Sequence, residues 1–435
     1  MMVEGWLLRA AAARPGRTAL QTPLGSWSYA ELLSAARVAA NELAGHGVGP
    51  GHRVAIALPP GLAFAQALHA CLLLGAAAVP IDPRASPAER DLIAEGAAML
   101  IDEPLGASPT ERSGTARRLK RGFAHDLDAT AIVIHTSGTT SVPRAIELTY
   151  GNFLWSALGS AVALGCDPRE RWLCALPVSH VGGLSILVRS CIFATTAVVH
   201  ERFETDRALH ALREQEVTLV SLVARTLTRL LDAGLRNPPS LRWALTGGGP
   251  VPTALLERSR AAAVPVSLTY GLSEACSQVT TGGPPLFCTR LQIASDQEIM
   301  VRGPTVAPKE LAPDGWLHTG DLGRLREDGL LEVTGRKADT IISGGENIAP
   351  TEVEAVLESH PHVLEAAVLG RADPRWGEAV TAIVVPRPDA SVEVSALRAH
   401  CAERLASYKV PKQVELTVDP LPRTRSGKLL RRELA

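Results

Sequence analysis

What this chain of 435 residues lacks removes several classes of function. It has no excess of charge of one sign: 44 Lys and Arg stand against 45 Asp and Glu, a formal charge of −1. No global basic field therefore points to nucleic acid or to an anionic membrane. It has no cysteine pattern either. Cys71, Cys166, Cys174, Cys191, Cys276, Cys288 and Cys401 are scattered without a CxxC pair. That spacing suggests neither a zinc site nor a disulfide framework, and it fits reduced thiols in the cytoplasm. The opening MMVEGWLLRAAAARPGR has a short apolar part and no basic leader, so no signal peptide is expected. One run, Leu62 to Val79, has transmembrane length and no formal charge. Its Gln66, His69, many alanines, Gly75 and the ending AVPIDPR read instead as a buried helix, a turn and a strand. The GxxxxGK[ST] phosphate loop is also missing.

What is present is length, apolar content and alternation. A hydrophobic fraction of 46% over this length suffices for a soluble enzyme of two or more lobes. From Trp6 to Gly45 the pattern is mostly helical, broken at Gly16 and at Gly25 to Tyr29, with Ser28 as an N-cap. Arg53 to Leu58 reads as a strand stopped by Pro59, Pro60 and Gly61. Strand–helix alternation continues through residues 171–200, 217–232 and 241–280, which predicts parallel sheets flanked by helices. Residues 103–125 are polar and weakly periodic and read as a mobile connection; Arg117, Arg118, Lys120 and Arg121 within it read as a solvated charge run. Beyond residue 339 the chain reads as a small α+β domain, with Thr351 expected to cap the helix of TEVEAVLESHP.

One stretch, HTSGTTSVPRAIELTY at 135–150, organises the rest. It follows the apolar run Ala131 to Ile134, which has the length of a buried strand. It then turns to hydroxyls and glycine: Thr136, Ser137, Gly138, Thr139 and Thr140, with the cation Arg144 beyond. Such a loop can aim its N–H groups and hydroxyls at one point and form a nest for a polyphosphate. Downstream, Gly247, Gly248 and Gly249 leave room for a flat ligand against the backbone. Tyr270 and Gly271 precede Ser273 and Glu274, which set an aromatic face, a hydroxyl and a carboxylate within a few residues of one another.

These segments resemble, in order, the motifs of the adenylate-forming enzymes: acyl- and aryl-CoA ligases, luciferases and peptide-synthetase adenylation domains. The first resembles TSGTTGxPKG, with Ser141 for Gly, Arg144 for Lys, Ala145 for Gly and Tyr150 for His. YGLSE resembles YGxTE, HTGD carries Asp321, GRKAD carries Arg336, and SGGE carries Gly344, Gly345 and Glu346. PRTRSGKLLRR carries Lys428. The likeness spans nearly the whole chain. It implies an α/β fold with a large N-terminal lobe of parallel and mixed sheets flanked by helices, 1–336, and a small mobile α+β C-terminal domain, 337–435.

The resemblance also implies the chemistry. A carboxylic acid attacks the α-phosphate of ATP, and a thiol then displaces AMP. Lys428, Glu274 and Arg336 would be catalytic, with Glu274 holding Mg²⁺. ATP would meet residues 136–140, Arg144, Gly248, Gly249, Tyr270, Gly271, Ser273, Asp321, Arg336 and Lys428. The acid would meet His180, Ser221, Arg229, Gly247 and Leu272, and coenzyme A would meet Gly344, Gly345 and Glu346. Ala338 occupies the hinge position, where relatives often carry Asp or Lys. Within the family the wording is most similar to members whose acid carries a second carboxylate, for which Arg189, Arg225 and Arg229 are candidate partners, Arg229 foremost. Ligation of benzoate- or anthranilate-like acids, loading of a carrier protein, and a silent nucleotide-binding relative are the alternatives. ATP, Mg²⁺, coenzyme A and a small carboxylic acid are the expected ligands, in the cytoplasm, with no nucleic acid and no membrane span. Oligomeric state, including a homo-oligomer, is left open.

Overall fold

The computed structural model describes residues 1–106, 124–136, 143–388, 390–424 and 429–434. Two compact units divide the chain: Met1–Arg290 with Val301–Leu317, and Leu291–Met300 with His318–Ala435.

The first unit is built on two sheets. The larger runs in the order Ser277–Thr281, Val266–Leu272, Trp243–Gly247, Leu219–Leu222, Arg171–Cys174, Thr196–Val199, Thr18–Thr22, Gly25–Ser28. Its six central strands are parallel and its two edges are antiparallel hairpin partners. The second sheet runs Met99–Ile101, Arg53–Ile56, Ala77–Pro80, Thr130–Thr136, Arg144–Thr149. Strands such as Ala77–Pro80 and Thr196–Val199 are buried along their whole length, as expected where helices cover both faces of a parallel sheet. Helices Trp6–Ala13, Tyr29–Gly45, Leu62–Leu74, Tyr150–Leu164 and Val181–Phe193 contribute to one shared core.

Several expectations are met. Leu62–Leu74 is a buried helix ended by Gly75 in the left-handed region, and no described helix is long and apolar enough to cross a membrane. Ser28 caps Tyr29–Gly45 in a full capping box with Glu31. Others need correction. The region from Trp6 to Gly45 is not helical throughout, because Thr18–Thr22 and Gly25–Ser28 form an antiparallel hairpin that completes the large sheet. Thr351 does not cap its helix. Ala349 is the cap residue with Pro350 at the first helical position, and the Thr351 hydroxyl donates to the Thr334 carbonyl. Of the connection read as mobile, residues 107–123 and its arginine cluster lie outside the described residues. Its end, Ala124–Asp126, is a strand paired with Met2–Glu4.

In the second unit a four-stranded sheet runs Arg290–Ile293, Glu298–Arg302, Leu317–Leu325, Leu331–Arg336. A five-stranded sheet of Glu346–Ile348, Ile341–Ser343, Gly377–Pro386, Val363–Asp373 and Gln413–Leu416 packs on helices Pro350–Glu358 and Val394–Ala402.

Candidate active site

In the first unit the parallel strands ending at Cys174, Leu222, Gly247 and Leu272 lie side by side, so their carboxyl ends open on one edge. That edge is where open α/β sheets bind ligands. It gathers His180, Ser221, Gly247 to Gly249, Tyr270, Leu272, Ser273 and Glu274. His180 opens the helix Val181–Phe193 with extended backbone and stands half-buried. Ser221 accepts a hydrogen bond from Trp172 Nε1 at 3.1 Å.

The glycines do not all serve one purpose. A Cβ on Gly247 would lie 2.2 Å from the Thr269 carbonyl oxygen of the next strand, so strand packing itself demands glycine there. Gly248 needs its left-handed φ of +79°, whereas a Cβ on Gly249 would meet nothing within 4 Å. Gly271 is the tightest of these: its Cβ would come 1.6 Å from the Ser277 carbonyl oxygen. The crossing is set by the bulge between Tyr270 and Gly271 in the hairpin with Ser277–Thr281.

The hydroxyl-rich stretch lies between two strands that pair with each other. Thr130–Thr136 pairs antiparallel with Arg144–Thr149, and Thr136 faces Arg144. Ser137, Gly138, Thr139, Thr140 and Ser141 lie outside the described residues. The return strand, which the sequence reading missed, packs against the turn Ser273–Ala275, so Arg144 and Glu274 belong to one neighbourhood. Glu274 is half-buried, and no described residue forms an ion pair with it. A half-buried carboxylate with no cationic partner among the described residues has the chemistry of a magnesium ligand, to which phosphate oxygens could add others. Tyr150, which stands where histidine is usual, opens the helix Tyr150–Leu164, donates to the Leu72 carbonyl at 3.1 Å and stacks on His125 at 4.3 Å.

The three candidate arginines separate sharply. Arg225 and Arg229 are exposed, and Arg229 rests over the Phe203 ring at 5.0 Å. Arg189 is 3% exposed, donates to Ser156 Oγ at 2.9 Å and lies 5.6 Å over the Trp172 ring. Its Nε has no partner, and no described carboxylate pairs with it. Burial pulls its pKa down to about 10. An isolated buried cation is costly, and groups so perturbed concentrate at functional sites. Ser156 passes the link on, donating to the Cys276 carbonyl at 2.6 Å, two residues from Glu274.

In the second unit Asp321, 7% exposed, pairs with Arg336 Nε at 2.9 Å across neighbouring strands. Ala338 sits in the short turn Lys337–Asp339. Lys337 is tied to Asp296 at 2.7 Å and Asp339 to Arg431 at 2.8 Å. Gly344 and Gly345, both at positive φ (61° and 85°), form the two-residue turn of a hairpin. Glu346 is exposed beside them. The Gly344 N–H donates to the Trp376 carbonyl at 2.7 Å. Lys428 lies outside the described residues.

Residues 7–309 match the model of the AMP-binding enzyme family, and residues 352–428 match the AMP-binding enzyme C-terminal domain. The chain belongs to the AMP-binding enzyme family. Relatives within the family include 2-succinylbenzoate–CoA ligases of Bacillus subtilis and Geobacillus kaustophilus, each 39% identical over 99% of this chain and 97% of theirs. Among solved structures, o-succinylbenzoate coenzyme A synthetase of Bacillus subtilis with its acyl-adenylate intermediate superposes with a TM-score of 0.91. It is 38% identical over 100% of this chain and 98% of that one. The same synthetase with ATP and magnesium gives 0.90 at 37% identity, covering 100% of both chains. The architecture is thus the adenylate-forming fold.

Proposed function

We propose that this enzyme is a 2-succinylbenzoate–CoA ligase, making the aromatic thioester required in menaquinone biosynthesis from the acid, ATP and coenzyme A. Full-length likeness to ligases of that acid supports the reading, as does the wording of SHVGGLSILVRS, LTGGGPVP and TYGLSEACSQVT. The observation that carries the choice of acid is Arg189. A substrate with two carboxylates presents one for activation and buries the other, and the second needs a cation already in place. Arg189 is that cation, a guanidinium held by Ser156 and Trp172 with no carboxylate partner among the described residues. It takes the role first assigned to Arg229, whose side chain is exposed.

The acid's free carboxylate oxygen bonds to the α-phosphorus of ATP as the bond to pyrophosphate breaks. The hydroxyl-rich hairpin and Arg144 hold the β- and γ-phosphates, and Tyr270 lies against adenine. Asp321 accepts from the ribose hydroxyls, and Arg336 and Lys428 meet charge as it develops on phosphorus. Magnesium on Glu274 would neutralise phosphate charge. The part from residue 337 onward then turns about Ala338, which withdraws Lys428 and presents Gly344 to Glu346. The thiol sulfur of coenzyme A bonds to the acyl carbon, its proton goes to solvent, and AMP leaves.

The test is a panel of acids offered to the purified protein with Mg²⁺, ATP and coenzyme A. 2-Succinylbenzoate should give both labelled pyrophosphate exchange into ATP and a CoA thioester, at far higher kcat/KM than benzoate or anthranilate. Preference for a monocarboxylate would overturn the choice of acid. Absence of exchange with every acid would overturn the ligase reading itself.

A further inference from the structure

Arg144, at the foot of the phosphate hairpin, is 59% exposed, yet its guanidinium is already engaged by Glu310, whose side chain is only 6% exposed. Glu310 lies on the short turn Pro308–Glu310, which packs against the strand carrying Arg144. Other contacts fasten that turn independently of the ion pair. Lys309 Nζ reaches Glu147 at 2.7 Å, and Asn152 Nδ2 donates to the Pro304 and Val306 carbonyls at 2.8 and 3.0 Å. The Ala307 N–H donates to the Glu274 carbonyl at 2.8 Å. The scaffold therefore delivers the Glu310 carboxylate to Arg144. Burial raises the pKa of that carboxyl above its ordinary value, Arg144 opposes the shift, and Glu274 adds to it. Glu310 is thus a sequestered anion beside a second carboxylate, with Arg144 as its counter-ion.

A guanidinium binds carboxylate and phosphate with the same fork of donors, so the two compete for it. We propose that Glu310 is a positioning residue that stands in for phosphate. It holds Arg144 before nucleotide binds, yields it to the triphosphate, and reclaims it as pyrophosphate leaves. The inference rests on the reading of Arg144 as a phosphate ligand. Because the two anions compete for one guanidinium, removing the Glu310 charge tightens phosphate binding.

The experiment measures inhibition of acyl-adenylate formation by pyrophosphate, together with the KM for ATP. Glu310→Gln should strengthen pyrophosphate inhibition and lower the ATP KM, each by about five- to tenfold, the scale of one charge-assisted pair. Glu310→Asp, which keeps the charge but withdraws it by one methylene, should fall between; it also serves if the glutamine variant does not fold. In an Arg144→Ala background the Glu310→Gln change should move the inhibition constant less than about twofold, because coupling is lost with the shared partner. Unchanged or weaker inhibition in both Glu310 variants overturns the proposal. So does equal tightening in the Arg144→Ala background, which would make Glu310 a simple repelling charge. Failure of the ligase reading looks different, since the unaltered enzyme would then exchange no pyrophosphate at all.

Discussion

At the scale of single residues, burial reverses an order read from the sequence, which put Arg229 first. Arg189, Arg225 and Arg229 all lie in segments matching the family, and helix periodicity cannot say which guanidinium points inward without a partner. Only packing shows Arg189 buried against Trp172 and Ser156, and the other two exposed. The expected outcome is that Arg189→Gln raises the KM for 2-succinylbenzoate at least about tenfold, from the loss of a buried charge-assisted contact. The same change should alter the KM for benzoate little, and Arg229→Ala should change neither more than about twofold, as for an exposed charge. Steady-state kinetics with both acids checks this. An Arg189→Gln effect equal for the two acids would point to packing instead. Glycine at 247 was legible as a need for space, but the sequence could not reveal that the Thr269 carbonyl of the next strand itself leaves no room for a Cβ.

Among elements, strands and helices with strong periodicity were legible, and the hairpins were not. Thr18–Thr22 with Gly25–Ser28 and Ile341–Ser343 with Glu346–Ile348 are short, and against the apolar strand Thr130–Thr136 the return strand Arg144–Thr149 has few strongly apolar positions. Their pairing is decided by partners far along the chain, which local pattern does not contain. The pair Gly344–Gly345 was the one signal available, since two glycines between strands suit the mirror-image turn. Its geometry yields a prediction. A Cβ at Gly344 would sit in the left-handed region and 3.1 Å from the Trp376 ring. Gly344→Ala should therefore slow thioester formation by about tenfold, the effect of roughly 1–2 kcal/mol of backbone strain. Pyrophosphate exchange should stay within about twofold, because the proposed use of this hairpin in the coenzyme A step comes after adenylation. A parallel loss in both half-reactions would remove the hairpin from any role confined to coenzyme A.

For the molecule as a whole, two buried histidines set an acid limit. Burial pulls His69 down to about 4, and burial together with its neighbour His69 pulls His125 to about 4. Both lie below the unfolded value near 6.5. The folded form resists protonation while the unfolded chain accepts it, so stability is fully present above pH 6.5 and is lost as pH falls toward 4. Urea midpoints measured across that window should decline, and the decline should be shallower in His69→Leu, which cannot take up the proton. A midpoint flat from pH 6.5 to 5 would refute the linkage.

The large sheet has a further consequence. Its strand Thr18–Thr22 pairs with Thr196–Val199, and Tyr29 Oη donates to the Ser190 and Thr195 carbonyls at 2.7 Å. A nascent chain therefore exports its first hairpin long before the partner strand leaves the ribosome, an interval of roughly ten to thirty seconds at ordinary translation rates. Until then that hairpin has an unsatisfied edge open to other chains.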